Sequence, residues 1–138
     1  MHGDRKKYLV ALMVLLVALV AVAGMAYWRM QKPALGPYGA IAMSDSTLTY
    51  GGAWGYPDPL SAYKRAISEC TKAGSHDCVV KTTLKDTCGA LAISAQANKS
   101  FLVTGTDQVL TTQTAMSQCQ ATGATDCEIH ENICSTAS

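Results

Sequence analysis

The sequence predicts an α+β protein in which a single N-terminal transmembrane helix precedes a duplicated ββαβ domain stapled by disulfides. Three observations lead to this fold class. An uncharged apolar segment occupies residues 8–28, the chain after it repeats its own pattern, and all six cysteines follow the apolar segment. A chain of 138 residues has room for one compact domain and one additional element.

The apolar segment is long enough to cross a bilayer. As a helix its 21 residues would span roughly 31 Å, the thickness of the hydrocarbon core. Tyr8 at one end and Tyr27 and Trp28 at the other are aromatics that favour the headgroup level, and they mark a membrane anchor. A cleaved signal peptide is the alternative, with residues 21–23 as a small-residue cleavage site. The apolar run is longer than the usual 7–15-residue signal core, which favours the anchor.

Charge and cysteine placement together predict the orientation. Three basic residues precede the segment and two follow it closely, a weak bias for a cytoplasmic N-terminus. An even set of cysteines confined to one side is typical of an oxidising compartment. We therefore expect a cytoplasmic stub (1–7), a transmembrane helix (8–28), a stiff tether (29–37) and a periplasmic domain (38–138), anchored in lipid at a bacterial inner membrane.

The charge balance argues against nucleic acid as a partner. Residues 1–36 carry five basic and one acidic residue, a net charge of +4, whereas residues 37–138 carry six basic and nine acidic residues, a net charge of −3. Affinity for nucleic acid comes from clustered lysine and arginine that neutralise phosphates. The acidic domain has no such cluster.

The domain consists of two copies of one unit, at about 38–87 and 88–138. Residues 38–44 match residues 88–94 at an offset of 50. Further along, the offset is 49, and Asp58, Cys70, Gly74 and Cys78 recur in the same order. Their counterparts in the second copy are Asp107, Cys119, Gly123 and Cys127. Such an ordered recurrence indicates an internal repeat.

Each unit reads as two strands, a helix and a third strand. In the first copy we predict strands at 39–43, 47–54 and 78–84, and a helix that Asp58 caps and Gly74 ends. In the second we predict strands at 90–93, 101–104 and 127–133, and a helix over 107–121 ended by Gly123. The apolar periodicity predicts one buried stripe on each helix. The stripes are Leu60, Tyr63, Ile67 and Cys70 in the first helix, and Val109, Thr112, Met116 and Cys119 in the second.

The duplication also predicts the disulfides. Six cysteines allow 15 connectivities, but equivalent copies should form equivalent internal bonds. Cys70–Cys78 and Cys119–Cys127 satisfy this condition, which leaves Cys88–Cys134. We expect Cys88 to follow the third strand of the first copy and Cys134 to follow that of the second, so this last bond would link the two copies.

The sequence resembles a bacterial family known as domain of unknown function 4189. The resemblance rests on Tyr-Gly-Ala-Ile-Ala at 38–42, Trp-Gly-Tyr at 54–56, the cysteines at 70 and 78, and Cys-Gly-Ala-Leu-Ala at 88–92. It covers nearly all of residues 37–134. The second copy departs from the pattern, because Val-Thr-Gly at 103–105 stands where Trp-Gly is expected. The resemblance implies no activity or catalytic residue, and the departure argues against a role shared equally by both copies.

No motif in the chain predicts catalysis, a cofactor or a metal site. His76 lies in a polar turn and His130 on the last strand, and the disulfides leave no thiol to act as a nucleophile. Glu128, His130 and Glu131 lie close in sequence, but alternation along a strand would separate Glu131 from the other two. An envelope hydrolase is therefore the least favoured function, and its sign would be an exposed hydroxyl near His76 or His130.

Aromatic residues near one strand pair form the candidate interaction face: Tyr38, Tyr50, Trp54 and Tyr56. Such side chains anchor protein interfaces, and the neighbouring glycines let another backbone approach. A structural role is the alternative, in which Trp54 fills the core beneath the helix. We expect a non-enzymatic accessory protein that contacts membrane or envelope proteins as a small subunit of a larger complex. The alternative function is a binding module or inhibitor of envelope proteins.

Overall fold

The computed structural model describes residues 2–30 and 36–135, with the backbone alone at residues 2, 3 and 27–30. The predicted interfacial side chains of Tyr27 and Trp28, most of the tether and the last three residues lie outside this description. Contacts divide the chain into two compact units, Met1–Pro33 and Ala34–Ser138.

The first unit contains one long helix, α1 (His2–Met30). Its part from Asp4 to Ala26 is long and apolar enough to cross a membrane, and its apolar side chains, Tyr8 among them, are exposed. A signal sequence near an N-terminus has the same properties. The helix therefore fits either a membrane anchor or a signal sequence.

The second unit contains the predicted ββαβ pattern twice. The first copy comprises β1 (Tyr38–Met43), β2 (Tyr50–Tyr56), α2 (Pro59–Lys72) and β3 (Val79–Lys85), and the second comprises β4 (Cys88–Ser94), β5 (Lys99–Gly105), α3 (Gln108–Gln120) and β6 (Glu128–Cys134). Asp58 and Asp107 cap the two helices through their carboxylates. Gly74 and Gly123 follow the helices at φ 116° and 85°, as a left-handed stop requires. The α+β fold class is confirmed.

The second strand begins three residues later than predicted. Ser44 Oγ accepts a hydrogen bond from the Thr47 backbone N–H at 3.3 Å, and Leu48 follows at φ 57°. This local turn holds residues 47–49 out of the strand. β2 then continues to Tyr56, two residues beyond the predicted end.

The two copies form two antiparallel sheets that pack face to face. The strand orders are β2-β1-β3 and β5-β4-β6, so the first strand of each copy is central. Large apolar side chains fill the space between the sheets: Ile41, Met43, Leu84, Leu91, Ile93 and Ile133. Because side chains alternate along a strand, the opposite faces are free to receive the helices, α2 on the first sheet and α3 on the second.

The helices bury small side chains, and the predicted stripes are wrong in this respect. The buried residues are Ala62, Ala66 and Cys70 in α2, and Thr111, Ala115 and Cys119 in α3. Leu60 is 58% exposed, Tyr63 42% and Val109 66%, whereas Ile67, Thr112 and Met116 are half-buried. The facing strand positions are mostly alanine, so each helix lies too close to its sheet for a larger side chain to fit between them.

The three disulfides are those predicted from the duplication: Cys70–Cys78, Cys119–Cys127 and Cys88–Cys134. The expected position of the last bond is wrong. Cys88 begins β4 and Cys134 ends β6, and these residues are direct partners in the second sheet. The bond therefore lies inside the second copy and does not link the two copies.

Candidate functional site

A β-bulge distinguishes β2 from its counterpart β5. Tyr38 pairs with Tyr56 and Ala40 with Ala53, so β2 has one more residue than β1 across this interval, whereas β4 and β5 pair without a shift. Gly55 takes up the extra length at φ 75°, a conformation that glycine adopts without strain. The additional residue explains why the repeat offset falls from 50 to 49.

The bulge accompanies an exposed tryptophan. Trp54 is 56% exposed, so the alternative that it fills the core beneath the helix is wrong. Tryptophan is enriched at protein interfaces, where it supplies a large apolar surface with a polar group. The Trp-Gly pair that the second copy lacks is therefore the bulge itself.

An open groove of about 680 Å³ runs along β2. Residues 49–54 and Tyr56 form its floor, and Glu131 of β6 lies on the opposite side from one wall. That wall consists of Arg65 and Glu69 of α2 and of Ala73, which caps the C-terminal end of the helix. The groove thus brings together one edge strand, one helix face and a residue from the other sheet. It is the candidate functional site.

Three of the four residues of the predicted interaction face line the groove. Tyr50, Trp54 and Tyr56 contribute to it, and Tyr38 does not. Tyr38 packs with the residues beneath α2, and the Lys85 ammonium lies 5.6 Å from the centre of its ring. This cation–π contact gives Tyr38 a structural role. Whether the face binds a partner stays a prediction.

Two adjacent glycines shape the floor of the groove. A Cβ atom at position 51 would lie 2.2 Å from the Cys70 backbone nitrogen, so α2 rests directly on the strand there. A Cβ at position 52 would lie 2.8 Å from Glu131 Oε1, on the opposite face. By strand pairing, the equivalent residues of the second copy are Phe101 and Leu102, which are bulky. Only the first copy therefore presents bare backbone at this place.

The carboxyl group of Glu131 is half-buried beside Gly52. Burial raises the pKa of Glu131 above its usual range, and a hydrogen bond from the Gly52 backbone opposes the rise only in part. No lysine, arginine or histidine of the described residues forms an ion pair with it. Glu131 is thus a partly desolvated negative charge at the side of the groove.

The helical wall of the groove carries charges that are already paired. Arg65 Nη2 lies 2.9 Å from Glu69 Oε1, and Lys72 Nζ lies 3.0 Å from the same oxygen. The hydrogen bond from Lys72 and the nearby Arg65 lower the pKa of Glu69, while burial opposes them. Of these three residues only Arg65 and Glu69 line the groove, and their charges balance, which leaves Glu131 as the unbalanced charge of the lining.

The two histidines of the domain are His76, in the loop after α2, and His130, on β6. His130 stacks edge-on against Tyr50 with ring centres 5.2 Å apart, and its Nε2 lies 3.8 Å from Glu128 Oε2. No side-chain hydrogen bond found in residues 36–135 joins a serine or threonine hydroxyl to His76 or His130. Within the described part of the chain, no three His, Cys, Asp or Glu side chains converge as metal ligands.

Strand alternation in β6 is interrupted, contrary to the expectation that separated Glu131 from its neighbours. Leu91 pairs with Glu131 and Ala92 with Ile129, so His130 forms a bulge. The bulge changes which residues share a face, and both Glu131 and His130 contact β2 residues. Simple period-two reasoning does not hold across such an insertion.

Sequence reasoning missed the groove residues that come from outside β2. Arg65, Glu69 and Ala73 recur at four-residue steps, a periodicity that places them on one helix face. That spacing was the available signal, although nothing in the sequence indicates which structure the face would meet. Glu131 has no local signal, because its contact with Gly52 joins residues from different copies.

Comparison with known proteins gives one finding. No curated protein and no protein of known structure shows significant similarity to this chain. The model of one family, described as "Domain of unknown function (DUF4189)", matches residues 38–134, which include every strand and both helices of the duplicated domain. The chain belongs to the DUF4189 family.

Proposed function

We propose that this chain is a membrane-anchored accessory protein whose periplasmic domain binds another membrane or envelope protein through the β2 groove. In this proposal α1 spans the inner membrane with a cytoplasmic N-terminus, and the protein acts as a small non-catalytic subunit of a larger complex. The apolar length of α1 and the three disulfides beyond it support this topology.

The observation that carries the proposal is the exposed Trp54 in a groove with a bare glycine floor. Interface hot spots are enriched in tryptophan and tyrosine, because these side chains bury a large area at low cost in conformational entropy. Trp54 is 56% exposed, and Tyr50 and Tyr56 line the same groove. A partner that covers the groove would bury all three.

The proposal is tested by affinity purification of the full-length chain from native membranes in a mild detergent. Trp54→Ala should remove the co-purifying partner, because the central aromatic anchor is lost. Leu60→Ala is the matched control, since Leu60 is also 58% exposed but does not line the groove. Recovery of the wild-type chain only as a lone monomer would contradict the proposal, and so would equal capture by both variants.

Orientation requires a separate test. Protease added to intact spheroplasts should digest the domain and leave an N-terminal fragment of the size of α1 in the membrane. Protection of the domain until the membrane is permeabilised would show the opposite orientation. Secretion of a chain that lacks α1 would identify α1 as a signal sequence.

A second candidate function is a binding module or inhibitor of envelope proteins. The groove favours it too, since the domain alone supplies all of its lining residues. Replacing α1 by a cleavable signal peptide separates the two functions. An accessory subunit should lose its complex after this replacement, whereas a binding module should retain its partner and still depend on Trp54.

A further inference from the structure

The edge of β2 that faces the groove is open. Ser44 N–H donates to the Thr49 carbonyl at 2.8 Å, and antiparallel pairing alternates, so the backbone groups of Thr49, Gly51 and Ala53 point toward β1. The N–H and C=O groups of Tyr50 and Gly52 therefore point away from β1, into the groove. Across residues 36–135, β1 is the only strand paired with β2.

The other edge strands carry features that discourage pairing. β3 and β6 each have a bulge, at Lys81 and His130. β5 begins with Lys99 and has large side chains at the positions equivalent to the two glycines. β2 has no charged residue, and it pairs regularly over residues 50–53. Proteins protect sheet edges by bulges and lysines, and this segment has neither.

The groove has room for a backbone beside this edge. Gly51 and Gly52 contribute no side chains, α2 closes one side through Arg65 and Glu69, and Glu131 lies on the other. A segment laid along β2 would direct alternate side chains toward the helix and toward Glu131. Peptides that add a strand to a sheet bind in this way, through main-chain hydrogen bonds and alternate side-chain contacts.

Glu131 indicates which side chain such a segment needs. Its carboxylate oxygens lie against Gly52, 2.8 and 2.9 Å from the position that a Cβ atom of residue 52 would take, so they flank the edge along which the added strand would lie. An added strand would remove this half-buried carboxylate further from water, and no basic side chain of residues 36–135 forms an ion pair with it. Leaving a desolvated charge unpaired is costly, and a lysine or arginine side chain of the segment would pair with it.

We propose that β2 accepts an extended peptide segment of a partner protein as an additional strand of its sheet, with a lysine or arginine side chain of that segment against Glu131. This inference rests on the proposed function, because it specifies the partner segment that the groove takes. Backbone pairing supplies affinity, and the contact with Glu131 supplies selectivity.

The free protein provides the first test, by residue-resolved amide exchange in detergent micelles of the full-length chain. The Tyr50 amide should exchange fast, at least about tenfold faster than those of Gly51 and Ala53, which are bonded to β1. A protected Tyr50 amide would mean that this edge is already covered, which overturns the inference. Protection that grows with protein concentration would mean that copies of this chain pair through β2, and this result would also overturn the inference.

The second test selects random heptapeptides displayed on phage against the full-length chain in nanodiscs. Selected peptides should carry a lysine or arginine at one position and should protect the Tyr50 amide on binding. In an added strand, alternate N–H groups point toward β2. Methylating these nitrogens of the peptide should abolish binding, whereas methylating the intervening nitrogens should not. Glu131→Gln should lower the affinity for the selected peptides at least about tenfold, equivalent to about 1.4 kcal/mol. Glu128→Gln, which removes an exposed charge from the same strand, should leave that affinity unchanged.

Failure to select any peptide would overturn strand addition, as would peptides without a basic residue or peptides insensitive to methylation. The proposed function has an independent readout, since capture of the native partner depends on Trp54 whatever the binding mode. If Trp54→Ala loses the partner and peptide selection fails, the proposed function is supported and strand addition is rejected. Retained capture would reject the proposed function itself.

Discussion

Asp77 and Asp126 occupy equivalent positions before the third strand of each copy, and both accept hydrogen bonds from hydroxyl or amide groups of the preceding turns. Ser46 Oγ and Ser75 Oγ donate to Asp77 at 2.7 and 2.8 Å. Ser94 Oγ donates to Asp126 at 2.5 Å, and the Gln96 N–H at 2.7 Å. Each carboxylate therefore ties the first turn of its copy to the loop after the helix.

Replacing Asp77 should destabilise the domain at neutral pH and have little effect in acid. The hydroxyls of Ser44, Ser46 and Ser75 hold the pKa of Asp77 well below its usual value near 3.8. The folded state thus favours the ionised form, and this stabilisation is present above the unfolded pKa and is lost as the pH falls through the folded pKa. In thermal unfolding, Asp77→Asn should lower Tm at pH 7 and the difference from wild type should shrink toward pH 2. Asp86→Asn is the control, and a pH-independent difference would contradict the mechanism.

Replacing Glu131 should change the stability of the domain in the opposite direction. Burial raises the pKa of Glu131, so the folded state binds its proton more tightly than the unfolded state does. The resulting stabilisation is complete below the unfolded pKa and is lost as the pH rises through the folded pKa. Glu131→Gln should therefore raise Tm at pH 8 relative to wild type, and this gain should disappear near pH 4. No gain at pH 8, or an equal gain from Glu128→Gln, would show that burial of this carboxylate does not cost stability.

At the scale of elements, the position of α2 depends on the absence of a side chain at Gly51 of β2. The helix buries alanines and a cysteine against the strand, and the missing side chain at position 51 lets the two backbones meet. The same close contact sets one wall of the groove. The bulge at Gly55 ends the regular part of the edge, so it limits how long an added strand can be.

A methyl group at position 51 should destabilise the domain more than one at position 52. In Gly51→Ala the new atom meets backbone of α2, which cannot move without shifting the helix, whereas in Gly52→Ala it meets the flexible end of Glu131. Overpacking of this kind costs about 1–3 kcal/mol, and we expect less than about 1 kcal/mol at position 52. Urea unfolding of the full-length chain measures both. Equal losses would mean that α2 does not rest on the strand.

The whole domain consists of two similar copies that differ in how their central strand is joined to the third. Tyr38 and Lys85 are register partners in the first sheet, and Cys88 and Cys134 are partners at the same place in the second. A cation–π contact thus occupies the position of a covalent bond. The groove lies on the copy without the covalent bond, so the two copies have diverged in both cross-linking and surface.

Removing the cross-strand disulfide should destabilise the domain more than removing a helix-to-strand one. Cys88 and Cys134 are 46 residues apart, whereas Cys119 and Cys127 are 8 apart. The chain-entropy relation gives a loss of about 4 kcal/mol for the longer loop and about 2.5 kcal/mol for the shorter. Paired Cys→Ala variants compared by urea unfolding test this order, and the reverse order would show that native-state contacts outweigh loop entropy.

Local patterns along the chain were sufficient for the element order, the helix caps and the cysteine pairs. Asp58-Pro59, the glycines after each helix and the repeat offset act over a few residues or by direct comparison of the copies, so their consequences can be derived without coordinates. They also indicated Tyr50, Trp54 and Tyr56 as residues of one surface. The burial of Ala62 and Ala66 in place of Leu60 and Tyr63 did not follow, because periodicity gives a helix face without the distance at which it packs.

Tertiary packing alone decided the groove. Stacking of the two sheets brings Glu131 beside Gly52, and the fit of α2 over Gly51 places Arg65 and Glu69 along the strand. These contacts join residues far apart in the chain, and they depend on two bulges that interrupt strand alternation. A single inserted residue changes which side chains share a face. The fall of the repeat offset from 50 to 49 reveals an extra residue in the first copy, but not its position in the strand pairing, and the bulge of β6 has no such signal.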